Sequence, residues 1–359
     1  MSLLHRIKEE AIRLKTIMPR FLQLEVSKNC NLKCIGCYRK DNTSTASLKG
    51  DMNLSLVRVK EILKMIPTVK TVTFLGDGEP LMNKDLESIM EYLTMENIDI
   101  WLTTNGTLID RDRIREWENY NIKELHISID SVRKSLYEEI RVNASYEKVI
   151  YSLELAGESN IPTYINFLMY DETMQDLPGI IQLAKDTYCN GVNALFPIFL
   201  IGNDLEGNLT RVKDNTVNKL YIQEATELVK KYKLKWTGSI PKLSPFFRHC
   251  NFPFALPYIT LNGDVYGCCY AVGAGRTEWY QGIPKKIKSS DYLMGNIHKT
   301  SFKDIWHGES YHQLRQAVKA TEYTRDCTIS TDKLLELRKQ GSGRFSYCKS
   351  CLWRWGSAC

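Results

Sequence analysis

Short apolar segments alternate with amphipathic helical patterns from Phe21 to about residue 235, and no other feature of the chain constrains its fold as strongly. The six candidate strands are FLQLEV (21–26), VTFLG (72–76), IDIWLTT (98–104), ELHISID (124–130), TYINFLM (163–169) and ALFPIFLI (194–201). Between them, apolar residues recur at helical spacing, as at Val59, Ile62, Leu63 and Ile66. The alternation predicts an α/β fold with parallel strands, arranged as a partial, TIM-like (β/α)6 barrel. In such folds the chemistry lies at the carboxyl ends of the strands.

The pattern changes after residue 235. PYITLNGDVYGCC contains Asn262-Gly263 between alternating residues, which predicts a tight β-hairpin. SFKDIWHGESYHQLRQAVKA (301–320) predicts two helices. We therefore predict an N-terminal helix at 1–20, the barrel at 21–235, and a hairpin-plus-helix module stapled by metal at 236–359.

Composition excludes several classes of protein. The chain of 359 residues is 43% hydrophobic and 25% charged, as is usual for soluble domains. No apolar run is long enough to cross a bilayer, and the charged N-terminus does not resemble a signal peptide, so we expect no membrane association and a cytoplasmic location. The net charge of +6 is dispersed, so nucleic acid is not an expected partner. Eleven cysteines in a reducing compartment indicate metal or thiol chemistry rather than disulfides.

Three cysteines lie within the eight residues CNLKCIGC, directly after the first predicted strand. Thiolates suit iron-sulfur clusters and zinc, and both sites usually take four protein ligands. Cys30, Cys34 and Cys37 have no fourth Cys or His nearby in the sequence. The motif therefore predicts a metal site with one open position.

The motif resembles the hallmark of the radical S-adenosylmethionine (radical SAM) superfamily. The resemblance implies a [4Fe-4S] cluster on Cys30, Cys34 and Cys37, whose open iron binds the amino and carboxylate groups of S-adenosylmethionine. Reduction by a partner such as flavodoxin or ferredoxin would cleave the sulfonium and release a 5′-deoxyadenosyl radical. That radical would abstract hydrogen from a substrate.

GDGEP (76–80) ends the second predicted strand and is similar to the GGEP stretch of the superfamily. The resemblance places Gly78, Glu79 and Pro80 at the cofactor, with the Glu79 carboxylate and neighbouring backbone accepting the methionine ammonium. A carboxylate suits that cation, and glycine lets the backbone approach a ligand closely.

Later strand ends extend the resemblance. TTNGT supplies Thr104 and Asn105, and SIDS supplies Ser128 and Asp130, at the ends of the third and fourth predicted strands. Both stretches are similar to superfamily segments that line the cofactor. Arg141 matches an arginine that follows the fourth strand and would pair with the methionine carboxylate.

The sequence differs from the superfamily pattern at two places that concern adenine binding. The residue before the third cysteine is commonly aromatic in the superfamily, whereas here it is Gly36, with Tyr38 on the far side of Cys37. The fifth predicted strand also lacks the glycine-rich GxIxGxxE pattern. The resemblance therefore assigns no adenine contacts.

The C-terminal cysteines resemble the SPASM and twitch extensions of the superfamily. Twelve residues separate Cys250 from Gly263, and four more precede Cys268, which matches the CX9-15GX4C opening of these extensions. CKSC adds Cys348 and Cys351. The resemblance implies one fully ligated auxiliary [4Fe-4S] cluster, and zinc on the same four cysteines remains the alternative.

Three further cysteines leave the number of clusters open. If the chain holds a second auxiliary cluster, Cys269, Cys327 and Cys359 would contribute ligands to it. We favour a single cluster, because the adjacent Cys268 and Cys269 point in different directions and a chain-terminal ligand frays easily. Otherwise Cys269, Cys327 and Cys189 behave as small buried hydrophobes.

By this resemblance, a single auxiliary cluster suits two roles, which are to accept the electron left on a substrate radical or to relay electrons to the first cluster, and the first role gives a net two-electron oxidation. The resemblance therefore favours dehydrogenation, a two-electron oxidation, of a polar small molecule such as an aminocyclitol or a sugar.

Two alternatives remain. One is epimerisation or cross-linking of a ribosomal peptide, with the thiol of Cys327 as the candidate catalytic hydrogen donor. About twenty residues precede the first predicted strand, which disfavours a separate leader-peptide-binding domain. The other is a non-catalytic protein, either an electron carrier or a zinc-stapled binding module. CLWRWGSAC, with Arg354, would line a substrate pocket or cover the auxiliary cluster.

Overall fold

The computed structural model of the protein describes residues 17–37, 52–195, 215–238, 250–272, 277–280, 283–319, 344–345 and 348. Most of the predicted N-terminal helix, together with Tyr38, Cys327, Cys351, Cys359 and the CLWRWGSAC stretch, lies outside these residues. None of the described helices combines the length and the apolar composition needed to cross a membrane.

The described residues form twelve strands and eleven α-helices. The strands are β1 (Phe21–Glu25), β2 (Thr71–Leu75), β3 (Asp99–Thr104), β4 (Ile122–Ser128), β5 (Thr163–Leu168), β6 (Gly191–Leu195), β7 (Lys235–Gly238), β8 (Tyr258–Ile259), β9 (Asp264–Tyr266), β10 (Thr277–Tyr280), β11 (Ile283–Lys286) and β12 (Leu293–Asn296). The helices are α1 (Leu56–Met65), α2 (Leu86–Met95), α3 (Arg111–Trp117), α4 (Lys134–Ile140), α5 (Tyr146–Gly157), α6 (Leu177–Asp186), α7 (Thr216–Tyr232), α8 (Phe252–Ala255), α9 (Ser289–Tyr292), α10 (Phe302–His307) and α11 (Glu309–Lys319).

Local sequence fixes where several helices begin. The side chain before the first helical residue accepts a hydrogen bond from a backbone N–H three residues further on, which satisfies a donor that the helix leaves open. The residues in this position are Ser55 before α1, Asp110 before α3, Ser145 before α5, Asn215 before α7 and Ser301 before α10.

The strands β1 to β7 run parallel and in chain order, which confirms the predicted partial barrel. The first five strands lie within two residues of their predicted bounds. The sixth begins earlier than predicted, at Gly191, and the remainder of the predicted ALFPIFLI segment lies outside the described residues. β7 is a seventh parallel strand that the apolar pattern missed, because its KWTG sequence is short and largely polar.

The two faces of the parallel sheet differ in chemistry. One face is apolar and packs beneath the helices, with members such as Leu22, Leu24, Val72, Phe74, Ile100, Leu102, Leu125, Ile127, Ile165, Phe167 and Val192. Successive strand residues point to opposite sides, so the intervening residues line the inner face of the barrel. These include Gln23, Glu25, Thr73, Thr103, His126, Ser128, Tyr164, Asn166 and Asn193. The barrel therefore has a polar interior.

The C-terminal region continues the same sheet. β8 pairs in parallel with the free edge of β1, β9 pairs antiparallel with β8, and β12 pairs antiparallel with β9. The predicted hairpin is present, and Gly263 at its turn has φ of +77°, a conformation that favours glycine. The two predicted helices are α10 and α11. The hairpin is further tied to the barrel by the Leu261 N–H, which donates to Glu25 over 3.0 Å.

Replacement of Leu24 by Ala tests the apolar face beneath the first loop. Leu24 is fully buried on β1, so Leu24→Ala should lower the free energy of unfolding by about 2–5 kcal/mol through lost burial and a cavity. Urea unfolding of the metal-free protein measures this loss. Leu220→Ala is the control, because Leu220 is 58% exposed on α7 and its change should stay within about 0.5 kcal/mol. Equal losses in the two variants would contradict the packing described here.

Candidate metal and cofactor site

The loop that carries the three N-terminal cysteines is fixed by backbone hydrogen bonds to the segment after α4. Lys33 N–H donates to Val142 O over 3.0 Å, and Ile35 N–H donates to Ile140 O over 2.9 Å. Within the loop, Cys37 N–H donates to Cys34 O over 3.1 Å. Cys30, Cys34 and Cys37 are all partly exposed. The loop thus holds its three thiols at the carboxyl end of β1, next to Arg141.

Arg141 and Asp130 form a buried ion pair beside these thiols. Arg141 Nε donates to Asp130 Oδ2 over 2.7 Å, and Leu168 N–H donates to Asp130 Oδ1 over 3.2 Å. Burial alone would lower the pKa of Arg141, but Asp130, Cys34 and Tyr137 together raise it above its ordinary value. The sequence predicted that Asp130 lines the cofactor and that Arg141 meets a carboxylate of the cofactor. The structure gives Arg141 a protein carboxylate at Nε and no partner at Nη1 or Nη2 among the described residues.

Cys34 interacts electrostatically with both members of this ion pair. Burial raises the pKa of the Cys34 thiol to about 11, and Arg141 opposes that rise. Asp130 and the neighbouring Cys37 and Cys30 add to it. The protein alone therefore keeps Cys34 as a thiol at neutral pH, and a bound metal has to displace its proton.

The loop after β2 packs directly against the loop after β1. Gly78 N–H donates to Ser27 O over 3.0 Å, and Glu79 N–H donates to Asn29 O over 2.7 Å. A Cβ at position 78 would lie 2.4 Å from both Ser27 O and Asn29 O. This approach requires glycine, so Gly78 fixes the spacing between the two loops.

The Glu79 carboxylate joins the ends of β2 and β3. It is 3% exposed and accepts hydrogen bonds from Thr104 Oγ1 at 2.5 Å, Asn105 N–H at 2.8 Å and Leu81 N–H at 3.2 Å. Burial raises the pKa of Glu79, while these donors hold it down. The bond from Leu81 also caps the short 3-10 turn that begins at Pro80. That Glu79 accepts the methionine ammonium stays a prediction, since the protein already supplies three donors to it.

A polar network missed by the sequence analysis links the cysteine loop to the end of β3. Asn105 Nδ2 donates to Asn31 Oδ1 over 2.9 Å, and Asn31 Nδ2 donates to Thr107 Oγ1 over 2.8 Å. Asn31 directly follows Cys30, and the presence of a polar residue inside the cysteine motif is the sequence signal from which this network could have been predicted. Ser128, at the end of β4, is buried on the inner face beside Asn166.

The described C-terminal cysteines come from segments that pack together. Phe252, two residues after Cys250, contacts the Tyr270 ring edge to face with centroids 5.5 Å apart. Gly267 N–H, next to Cys268, donates to Tyr292 O over 3.1 Å. The Tyr292 hydroxyl lies 3.4 Å from Cys348 Sγ. Cys250 and Cys268 are half-buried and Cys348 is buried, while Cys351 lies outside the described residues.

The other cysteines differ in their surroundings. Cys189 is 3% exposed, and burial raises the pKa of its thiol to about 11, as expected for a small buried hydrophobe. Cys269 is half-buried at the start of a 3-10 turn.

The donor set fits iron-sulfur clusters. Within the described part of the chain, no three Cys, His, Asp or Glu side chains converge as ligands of one metal ion. A [4Fe-4S] cluster does not require such convergence, because each thiolate binds a different iron. Near the first site, the Arg141 guanidinium supplies positive charge beside Cys34, which suits an anionic cluster.

The chain matches two families of domains. Residues 24–184 match the radical SAM superfamily, and residues 250–328 match the iron-sulfur cluster-binding domain called SPASM. It is 24% identical over 356 residues to the tungsten-containing aldehyde ferredoxin oxidoreductase cofactor-modifying protein of Pyrococcus furiosus, covering 93% of this chain and 95% of that protein. It is 28% identical over 183 residues to the GTP 3',8-cyclase of Clostridium perfringens, covering 49% of this chain and 54% of the cyclase. The chain thus spans about half the length of the cyclases it matches.

Solved structures show the same fold. SuiB of Streptococcus suis bound to S-adenosylmethionine superposes with a TM-score of 0.64 at 16% identity, covering 87% of this chain and 72% of SuiB. SuiB bound to its precursor peptide SuiA superposes with a TM-score of 0.63 at 15% identity, covering 96% of this chain and 79% of SuiB.

The raised pKa of Cys34 predicts a distinctive pH dependence of alkylation. In the metal-free protein, the rate of Cys34 alkylation by iodoacetamide should still rise about tenfold per unit between pH 8 and pH 10, because the thiolate is the reactive form and the pKa is about 11. Mass spectrometry of the labelled peptide measures the rate. An unstructured peptide that contains CNLKCIGC is the control, and its rates should level off near the ordinary cysteine pKa of about 8.5. A plateau for Cys34 below pH 9 would contradict the buried environment.

Proposed function

Because the chain is a member of the radical SAM superfamily with a C-terminal SPASM-type domain, we propose that it cleaves S-adenosylmethionine reductively and uses the 5′-deoxyadenosyl radical to remove a hydrogen atom from a bound substrate. The observation that carries the proposal is the fixed cysteine loop. Backbone bonds hold that loop against the end of strand β2 and the end of helix α4, with the Arg141 guanidinium beside Cys34.

The cysteine loop, Arg141 and the Gly78-Glu79 backbone each have a proposed role. Cys30, Cys34 and Cys37 would hold a [4Fe-4S] cluster, which when reduced supplies the electron that cleaves the sulfonium. The open Nη1 and Nη2 of Arg141 suit the methionine carboxylate, since Asp130 already holds the guanidinium in place. The N–H groups of Gly78 and Glu79 already donate to the cysteine loop, so the backbone carbonyl oxygens of this stretch would be the acceptors for the methionine ammonium group.

We propose that the net reaction is a two-electron oxidation of a polar small molecule. A substrate C–H group gives its hydrogen atom to the 5′-deoxyadenosyl radical, which becomes 5′-deoxyadenosine. The substrate radical, on a carbon that bears a hydroxyl or amino group, then loses a proton to a base or solvent. Its remaining electron passes to the auxiliary cluster, and the product is a carbonyl or imine.

The inner face of the barrel supports a polar substrate. Asn193 Nδ2 donates to Asn166 Oδ1 over 2.7 Å, and both residues are half-buried. This bond orients the pair, and among the described residues neither the Asn166 amide N–H groups nor the Asn193 side-chain carbonyl has a hydrogen-bond partner. Together they offer a donor and an acceptor to a hydroxyl-rich or amine-bearing molecule.

Peptide modification is the second candidate. SuiB, which has the same fold over 96% of this chain, binds a precursor peptide. The open donor and acceptor of Asn166 and Asn193 also match the C=O and N–H groups of a peptide backbone. The two candidates differ in product, because oxidation of a small molecule removes two electrons and gives a carbonyl or imine, whereas epimerisation returns a hydrogen atom and leaves the oxidation state of the substrate unchanged.

Anaerobic reconstitution tests the proposed function. The wild-type chain should bind about eight iron, and with dithionite it should convert S-adenosylmethionine to 5′-deoxyadenosine, with flavodoxin or ferredoxin as the expected physiological reductants. Cys34→Ala should lose about four iron and all nucleoside formation, while Cys189→Ala, a matched control at a buried cysteine, should keep both. Nucleoside absent from the fully loaded wild-type chain would favour a non-catalytic electron carrier. A content of about four iron and one zinc per chain would contradict an oxidation that uses an auxiliary [4Fe-4S] cluster.

The amide pair gives a separate test of substrate binding. Asn193→Ala should leave substrate-independent 5′-deoxyadenosine formation within about twofold, because it lies away from the cysteine loop, and should raise the substrate KM about threefold to tenfold through lost hydrogen bonds. Steady-state assays of nucleoside and product measure both quantities. Asn160→Ala, at an exposed position, is the control. An unchanged KM in Asn193→Ala would argue against substrate binding at this pair.

A further inference from the structure

Tyr137 is a buried residue of α4 whose hydroxyl makes no hydrogen bond to any described residue. The Tyr146 ring packs against it edge to face, with centroids 5.5 Å apart, and the Tyr146 hydroxyl donates to Val132 O over 3.0 Å. Buried hydroxyls are normally hydrogen-bonded, because an unpaired one has lost its contacts with water. The open donor of Tyr137 therefore indicates an acceptor that the described residues do not supply.

Tyr137 lies one helical turn before the point at which α4 meets the cysteine loop. Backbone hydrogen bonds from Lys33 and Ile35, on either side of Cys34, tie that loop to residues 140–142. These bonds are 3.0 Å and 2.9 Å long, so the backbone at Cys34 follows the carboxyl end of the helix. The helix thus brings Tyr137 and Cys34 to the same region of the protein.

Electrostatic interactions connect the Tyr137 hydroxyl with the groups around Cys34. Burial raises the pKa of Tyr137 above its ordinary value, and Arg141 opposes that rise. Asp130 and the charge of a Cys34 thiolate add to it. The Arg141 guanidinium in turn interacts with both Cys34 and Tyr137. The Tyr137 hydroxyl therefore stays protonated at neutral pH and remains a hydrogen-bond donor in the surroundings of Cys34.

We propose that the Tyr137 hydroxyl donates a hydrogen bond to a sulfur atom of the [4Fe-4S] cluster at the cysteine loop, next to Cys34, and that this bond raises the reduction potential of the cluster. Hydrogen bonds to the sulfurs are one of the factors that set the potential of such clusters. Reduction adds negative charge to the cluster, so a donor stabilises the reduced state more than the oxidised state. Tyr137 is a positioning residue, because it acts through the cluster and does not contact the substrate. The inference rests on the first cluster of the proposed function.

Midpoint potentials of the reconstituted full chain test the role of Tyr137. A redox titration followed by electron paramagnetic resonance gives the potential of each cluster, and the signal of the first cluster is the one that Cys34→Ala removes. Tyr137→Phe, which removes only the hydroxyl, should lower the midpoint potential of that signal and leave the auxiliary cluster unchanged. Tyr146→Phe is the matched control, because the Tyr146 hydroxyl already has Val132 O as its acceptor, and both potentials should keep their wild-type values.

Urea unfolding of the metal-free chain gives a second measurement, which does not depend on a cluster. The unfolding midpoint of Tyr137→Phe should equal or exceed that of the wild-type chain, since no described acceptor loses a hydrogen bond. Tyr146→Phe should unfold at a lower urea concentration, since Val132 O loses its donor. A lower midpoint for Tyr137→Phe would assign its hydroxyl a structural partner within the protein and would overturn the inference.

Failure of the proposed function is distinguishable from failure of the role of Tyr137. A wild-type chain that shows no signal sensitive to Cys34→Ala would overturn the proposed function and, with it, the role of Tyr137. An unchanged potential of the first cluster in Tyr137→Phe would overturn only the role of Tyr137, because the cluster itself is then present.

Discussion

The site depends on the close backbone contact between the loops after β1 and β2. Gly78 allows this contact, because any side chain there would meet two carbonyl oxygens. Through it, the cysteine loop takes its position from the strand ends rather than from its own short sequence. On the other side of the loop, the hydrogen bonds of Asn31, Lys33 and Ile35 also fix its position. A metal-binding loop held at several points is already ordered before ligands arrive, which lowers the conformational cost of binding.

Buried charges in this chain are handled in two different ways. Near the first site, Arg141 has a protein carboxylate, and Glu79 has three hydrogen-bond donors. The charges of Arg141 and Glu79 are thus compensated without any ligand, and both groups stabilise the framework itself. Arg315 in the C-terminal region has aromatic faces and carbonyl oxygens but no described anion. The buried charges of the first site therefore have partners within the protein, whereas Arg315 has no carboxylate beside it among the described residues.

Local patterns in the sequence predicted the strands and their parallel arrangement well, and the contacts between distant side chains poorly. The periodicity of apolar residues predicted β1 to β6, and the Asn262-Gly263 pair predicted the hairpin, because both signals act within a few residues. β7 lacks such a signal and is a strand because β6 offers it a pairing edge. The pairing of Asp130 with Arg141 was not predicted either, since each residue was assigned to the cofactor by resemblance alone. The buried state of Arg315 depends on α8, α10 and the hairpin meeting in space, which no local pattern encodes.

The pairing of β8 with β1 also has a consequence for synthesis of the chain. β1 is the first of the described strands, and the strand that pairs with one of its edges, β8, begins only at Tyr258. At ribosomal rates of about 5–20 residues per second, that edge waits roughly 10–50 s for its partner. During this interval the nascent barrel presents an open strand edge with the cysteine loop beside it. Until β8 has been made, the nascent chain is therefore exposed to edge-to-edge association at this strand.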